Sequence, residues 1–272
     1  MNGQRKTWMD FLCYPLGKRE NKPREHGLTM VIDKGMGLGE TRDLLAVSAK
    51  YIDIIKLGFG TSALYSPELL AEKIDIIRTE EIDVYPGGTF LEVAVLQNKL
   101  PEYLRLAKDL GFNAIEISDG TISMTTEVRE KTIQMAAELG FKVLTEVGKK
   151  EGEQTPLVHD LVDLALKDLE CGAYKVILEG RESGTDVGLY DESGNIVEDD
   201  LKELMEGIGD PKVIIWETPQ KKQQQDMILR FGSNVNLGNI PPREVIALEA
   251  LRVGLRADTL KSVCDNDSTE IL

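Results

Sequence analysis

A chain of 272 residues with 42% hydrophobic content can bury one large core, and its length suits a single barrel or two small domains. Lys and Arg total 32 against 47 Asp and Glu, and the formal charge of -15, with no basic run, excludes nucleic acid and anionic membrane as partners. No stretch approaches the ~18 consecutive apolar residues of a membrane span, and no apolar segment follows the polar start as a signal peptide would, so a cytoplasmic location is expected.

Residues 1–25 read as an N-terminal extension, mobile and outside the core. The first apolar, β-rich run covers 28–33 and ends in Asp33 and Lys34. The second, 51–56, ends in Lys56 and meets a turn containing Gly58, Gly60 and Thr61, with a helix predicted over 68–78. The third, 82–86, runs into Gly87, Gly88 and Thr89, with a helix over 99–110. The fourth, 114–118, carries Glu116 and leads to Asp119 before a helix over 126–139. The fifth, 141–147, carries Glu146 and is followed by Lys149 and a helix over 157–171; the sixth, 174–179, ends in Glu179, with Arg181 and Glu182 beyond it. Residues 182–200, rich in glycine and acids, predict a long functional loop or small hairpin with a turn at 191–195. The seventh run, 212–217, ends in Glu217 before a helix over 221–231, and the eighth, 235–240, offers Asn236 and Asn239. Residues 261–272 read as a mobile acidic tail.

Gly111, Gly140, Gly172 and Gly232 each follow a predicted helix and precede a strand, where a positive φ stops the helix and turns the chain back. Strict strand–helix alternation with near-continuous apolar strands predicts a parallel sheet covered by helices. With about eight units and no linker to split them, a (β/α)8 TIM barrel over 26–260 is favoured over an open doubly wound sheet.

Cys13, Cys171 and Cys264 are few, odd in number and far apart, which fits reduced thiols. With His26 and His159 the only histidines, neither a His-based metal cluster nor a Ser-His-Asp triad has material to work with. Chemistry must therefore rest on carboxylates, lysines and arginines, and these sit within apolar runs: Ile54-Ile55-Lys56, Ile115-Glu116-Ile117, Thr145-Glu146-Val147 and Ile177-Leu178-Glu179. A buried charge needs a partner, a metal or a charged ligand. Structural ion pairs at the barrel mouth would satisfy some of them. A whole ring mixing carboxylates with Lys and Arg suits a phosphorylated, carboxylated substrate held partly through Mg²⁺. The glycine turns would let backbone N–H groups approach its oxyanions, although tight turns alone also call for glycine. Gly58, Gly60 and Ala63 match a relaxed dinucleotide fingerprint only weakly, because no acid for a ribose hydroxyl ends the next strand.

Together the strand-end segments DKG at Asp33, YIDIIKLGFGTS ending at Ser62, VYPGGTFLE ending at Glu92, EISDG from Glu116, VLTEVGKK ending at Lys150, ILEGRESG ending at Gly184, SNVNLGNI ending at Ile240 and LEALRVGLRADT ending at Thr259 resemble the phosphosulfolactate synthases, which make a coenzyme M precursor in methanogens. The resemblance implies a (β/α)8 fold and Mg²⁺-dependent addition of sulfite to C3 of phosphoenolpyruvate, a lyase-class reaction giving (2R)-phospho-3-sulfolactate through an enolate-like intermediate. It favours Lys149 over its neighbour Lys150 as the acid protonating C2, and Lys34, Lys56 and Arg181 are expected to bind the phosphate, carboxylate and sulfite charges. Glu116 and Glu146, then Asp33 and Glu179, are the expected metal ligands. Lys34, the residues of the two glycine turns, Asn236 and Asn239 are expected to bind substrate. Phe59, Thr218 and Gly238 depart from the family pattern, standing for tryptophan, alanine and alanine. Another lyase acting on a small phosphorylated acid, with Lys56 or Lys149 forming a Schiff base, and a non-catalytic stress-related relative remain the alternatives. A homo-oligomer is expected.

Overall fold

The computed structural model describes residues 6–148 and 157–266. Eight parallel strands, β1 (Thr29–Asp33), β2 (Ile54–Leu57), β3 (Asp83–Tyr85), β4 (Ala114–Ile117), β5 (Lys142–Val147), β6 (Lys175–Leu178), β7 (Ile214–Glu217) and β8 (Leu237–Ile240), lie in the order β3-β2-β1-β8-β7-β6-β5-β4. Strands β3 and β4 face each other across the remaining gap, so the sheet is a nearly closed (β/α)8 barrel. No ladder joins that pair. Asn113 closes the seam at the foot of β4: its Oδ1 accepts from the Val84 N–H at 2.9 Å, and its own N–H reaches the Val84 carbonyl at 3.4 Å.

The helices α2 (Pro67–Thr79), α4 (Leu100–Asp109), α5 (Thr126–Glu138), α6 (Val158–Glu170) and α8 (Lys221–Phe231) fall where the apolar spacing predicts them. Helix α2 starts on the Ser66 hydroxyl, which accepts from the Leu69 N–H at 3.3 Å, with Pro67 in the first turn. The four glycines after α4, α5, α6 and α8 take φ values of 96°, 75°, 110° and 86°. Five helices complete the outer ring beyond that prediction: α1 (Leu38–Ser48), α3 (Gly88–Leu96), α7 (Glu198–Ile208), α9 (Val245–Arg252) and α10 (Ala257–Asn266). The predicted small hairpin is present, with bridges from Tyr190 to Val187 and Ile196. No helix among the described residues is long and apolar enough to cross a membrane.

Alternation along the strands sorts the barrel interior into two layers. Met30, Ile54, Tyr85, Ala114, Leu144, Ile177 and Ile215 form an apolar plug. Two residues further along from each of these, except Tyr85 of β3, stand Ile32, Lys56, Glu116, Glu146, Glu179 and Glu217, all buried. A side-chain period of two puts both sets on the inner face, so the plug is the floor on which the charged layer rests. The intervening residues, such as Val31, Ile55, Ile115 and Trp216, point outward into the core shared with the helices.

Parts of the N-terminal extension and of the C-terminal segment expected to be mobile hold to the barrel among the described residues. From Leu16, whose N–H donates to the Val253 carbonyl, the extension straps the floor of the barrel. Arg19 pairs with Glu249 at 3.1 Å, Arg24 pairs with Asp53 at 2.8 Å, and Lys22 donates to the carbonyls of Ala49, Ile52 and Glu80. The expected mobile tail is helical up to residue 266, as part of α10, which Lys221 anchors through Asp258 at 2.8 Å.

Candidate active site

The charged layer opens at the carboxyl ends of the strands into a cavity of about 350 Å³. Lys56, Glu146, Glu179, Arg181, Glu217, Asn239, Gly58, Gly60, Gly87, Gly88 and Thr89 line it. At its centre the Lys56 ammonium lies 3.0 Å from Glu116 Oε2, 3.3 Å from Glu217 Oε1 and 3.5 Å from Glu146 Oε2. Burial works against its charge, but Glu116 and Glu217 outweigh that, and its pKa is held well above the usual lysine value. Glu217 pays for the same crowding: burial, helped by the neighbouring Glu146, raises its pKa even though Lys56 draws it down. Tyr85, opposite Lys56 in the β2–β3 register, is pushed up first by burial and then by Glu116, so its hydroxyl stays protonated.

Backbone donors fix two of the carboxylates. The Gly88 N–H gives a 2.8 Å bond to Glu116 Oε1, and the Gly180 N–H a 3.0 Å bond to Glu217 Oε2. Glycine at position 88 leaves room for the Glu116 carboxylate, because a β carbon there would collide with Glu116 Oε1 and lie 2.6 Å from Ser118 Oγ unless those side chains moved. Gly87, at φ 83°, turns the chain so that the first turn of α3 opens on the cavity. Arg181 also has a left-handed backbone, φ 55°; its N–H donates to Glu179 Oε1 at 2.6 Å and its carbonyl accepts from Asn239 Nδ2 at 3.2 Å. No carboxylate pairs with its guanidinium among the described residues. One oxygen from each of Glu146, Glu179 and Glu217 can lie within 4.8 Å of the others, all three side chains being buried. That donor set fits a hard divalent cation.

Several predicted site residues sit elsewhere. Asn236 is corrected to the opposite end of the barrel: β8 begins only at Leu237, and the buried Asn236 side chain bonds the Leu28 N–H and the carbonyls of Lys212 and Ile214. Asp33 is engaged on the outer side of β1, against α2, with Oδ2 2.5 Å from the fully buried Lys73 ammonium and Oδ1 accepting from the N–H groups of Gly35 and Met36. Thr61 turns its hydroxyl onto the Gly58 carbonyl, and Lys34 pairs with Glu182 at the rim. Lys149 lies outside the described residues. The residue that strand-end reasoning passed over as a metal ligand is Glu217, which carries the same signal as its neighbours, an acid two positions after an inward-facing apolar residue.

The family model described as (2R)-phospho-3-sulfolactate synthase matches residues 17–258. The chain belongs to that family. It is 48% identical over 256 residues to the phosphosulfolactate synthase of Methanothermobacter thermautotrophicus, covering 93% of this chain and 98% of that one. It is 40% identical over 253 residues to that of Bacillus subtilis, covering 92% and 99%. Among solved structures, 3-hexulose-6-phosphate synthase superposes with a TM-score of 0.53 at 15% identity, over 82% of this chain and 98% of that one, a likeness of fold alone.

Proposed function

We propose that this enzyme adds sulfite to C3 of phosphoenolpyruvate in the presence of Mg²⁺, giving (2R)-phospho-3-sulfolactate. The observation that carries the reading is a buried ammonium caged by carboxylates at the mouth of a family-matched barrel. In the reaction the sulfur lone pair forms the C–S bond while the C2–C3 π pair moves onto C2 and into the carboxylate, and one proton is then delivered to C2. Two anions must meet, so fixed positive charge has to face them. Lys56 and Arg181 supply it inside the cavity, Arg181 with a forked donor suited to an oxyanion. The N-terminal turn of α3 adds backbone dipoles suited to the phosphate.

Glu146, Glu179 and Glu217 would hold the Mg²⁺; bound there, the ion would stabilise negative charge as it builds on the substrate carboxylate. The raised pKa of Glu217 favours this placing, since a cation relieves the crowding that produces it. Glu116, first in the sequence-based expectation, instead faces Lys56 and the Gly88 N–H. Lys56 acts as a fixed cation: a lysine must be neutral to form a Schiff base, and its cage keeps it charged, which disfavours the aldolase alternative. Lys149 is assigned the protonation of C2 on the family resemblance.

The test is ³¹P NMR of the protein with phosphoenolpyruvate, sulfite and Mg²⁺, with controls lacking sulfite, lacking metal, and carrying Lys149→Ala. A new phosphate-ester signal that needs both sulfite and metal is expected, and it should be lost in the variant. No new signal from folded protein would reject the reaction; a signal surviving in Lys149→Ala would reject only the assigned acid.

A further inference from the structure

At the floor of the barrel, far from the charged mouth, the N-terminal strap encloses a second cavity, of about 870 Å³. Five cations line it, Lys18, Arg19, Lys22, Arg24 and Lys50, against two acids, Glu20 and Glu249, in a chain whose formal charge is -15. Arg19 and Arg24 have carboxylate partners, Glu249 and Asp53. The other charges do not balance. Lys22 donates only to backbone carbonyls; Lys50 lies 4.6 Å from the centre of the Tyr51 ring, and neither it nor Lys18 meets a carboxylate among the described residues. Behind them, fully buried Arg252 bonds the carbonyls of Ser233, Val235 and Leu28, again with no acid. Burial, and then the neighbouring Arg19, push its pKa well below the usual arginine value. Lys22 is lowered too, by burial and by Arg24 beside it, although Asp53 opposes. Lys18 and Lys50 are exposed and keep their hydration, so the cost of uncompensated charge falls on Lys22 and Arg252, and an anion beside them lowers it. Met9, Leu12, Tyr14 and Tyr51 complete the wall, and their apolar surface lowers the local dielectric and strengthens the attraction.

We infer that this floor cavity is a second anion site, which takes a phosphate-type oxyanion and fastens the N-terminal strap to the barrel. Lys18 and Lys50 contact the ligand, while Lys22 and Arg252 supply the field. The chemistry is shared by inorganic phosphate and by phosphate esters such as the proposed substrate.

Thermal unfolding of the full chain tests it, with sodium phosphate titrated against sodium chloride at matched ionic strength. The proteins compared are wild type, Lys18→Ala/Lys50→Ala and Arg181→Ala. A ligand that binds only the folded state raises Tm saturably, by a few degrees at about 100 times Kd. That rise is expected in wild type and in Arg181→Ala, where the mouth is impaired, and is expected to be absent from the double lysine variant. Phosphoenolpyruvate titrated into Arg181→Ala then shows whether an ester or the free ion binds at lower concentration. A phosphate effect equal to that of chloride, one retained without the two lysines, or one lost with Arg181 would overturn the inference.

Discussion

Lys56 is surrounded by negative charge, so its length and its charge can be tested separately. Lys56→Met leaves Glu116, Glu146 and Glu217 crowded without their ammonium; a stability loss of about 3–5 kcal/mol, read by urea unfolding, and loss of turnover are expected. Lys56→Arg keeps the charge but brings a planar fork into a cage shaped for a compact ammonium, so most of the stability should return without the activity. Recovery of activity in the arginine variant would show that charge alone suffices. Gly88 offers a milder test. An added methyl group must push Glu116 away from Lys56 and from the β3–β4 seam, so Gly88→Ala should lower kcat/KM by about a hundredfold, the scale of an ångström-sized misplacement, while the protein stays folded. Unchanged kinetics would mean that the Glu116 position does not matter to turnover.

The loop leaving β1 depends on an element distant in sequence. Lys73 comes from α2, is wholly buried, and holds both Asp33 Oδ2 and the Met36 carbonyl at 2.5 Å, fixing the turn that presents Lys34. Lys73→Met strands the Asp33 charge and should cost about 3–5 kcal/mol, whereas Lys73→Met/Asp33→Leu should recover much of it; urea unfolding of the three variants checks the pair, and a double variant worse than the single would refute it. The same contrast explains what could be read from the chain. Every strand was visible because a short apolar, β-rich run ending in glycine, proline or a charged residue, such as Ile54-Ile55-Lys56 or the run at 82–86, is a local pattern. The pairing of Asp33 with Lys73 is non-local, and Asp33 therefore looked like a site carboxylate. Position within a run also matters: Asn236 is the second residue of the run at 235–240, just before β8 begins at Leu237, so it stands at the amino end of the strand, which in a parallel barrel is the floor, while Asn239 reaches the mouth. Helix α3 was missed because it is apolar along most of its length and begins on two glycines, with neither a polar face nor a side-chain cap to mark it.

Taken as one body, the barrel divides stability from chemistry: the apolar plug and strapped floor hold it together, while the mouth concentrates like charges that cost stability. Glu217 shows the sign of that cost. Its pKa in the folded chain lies above that in the unfolded chain, because of burial and Glu146. Its contribution to stability is therefore fully present below the unfolded value and is lost as pH rises through the folded one. In the metal-free enzyme the penalty for ionising Glu217 therefore grows as pH rises, and a cation held by Glu146, Glu179 and Glu217 relieves it. The rise in Tm on adding Mg²⁺ should accordingly be larger at pH 8 than at pH 5.5, where protons compete for the same oxygens. Glu217→Gln removes the penalty together with a ligand. In EDTA at pH 8 its Tm should equal or exceed that of the wild type, and its response to Mg²⁺ should be largely lost. A full Mg²⁺ response in the variant, or a wild-type response that shrinks as pH rises, would place the metal on other carboxylates.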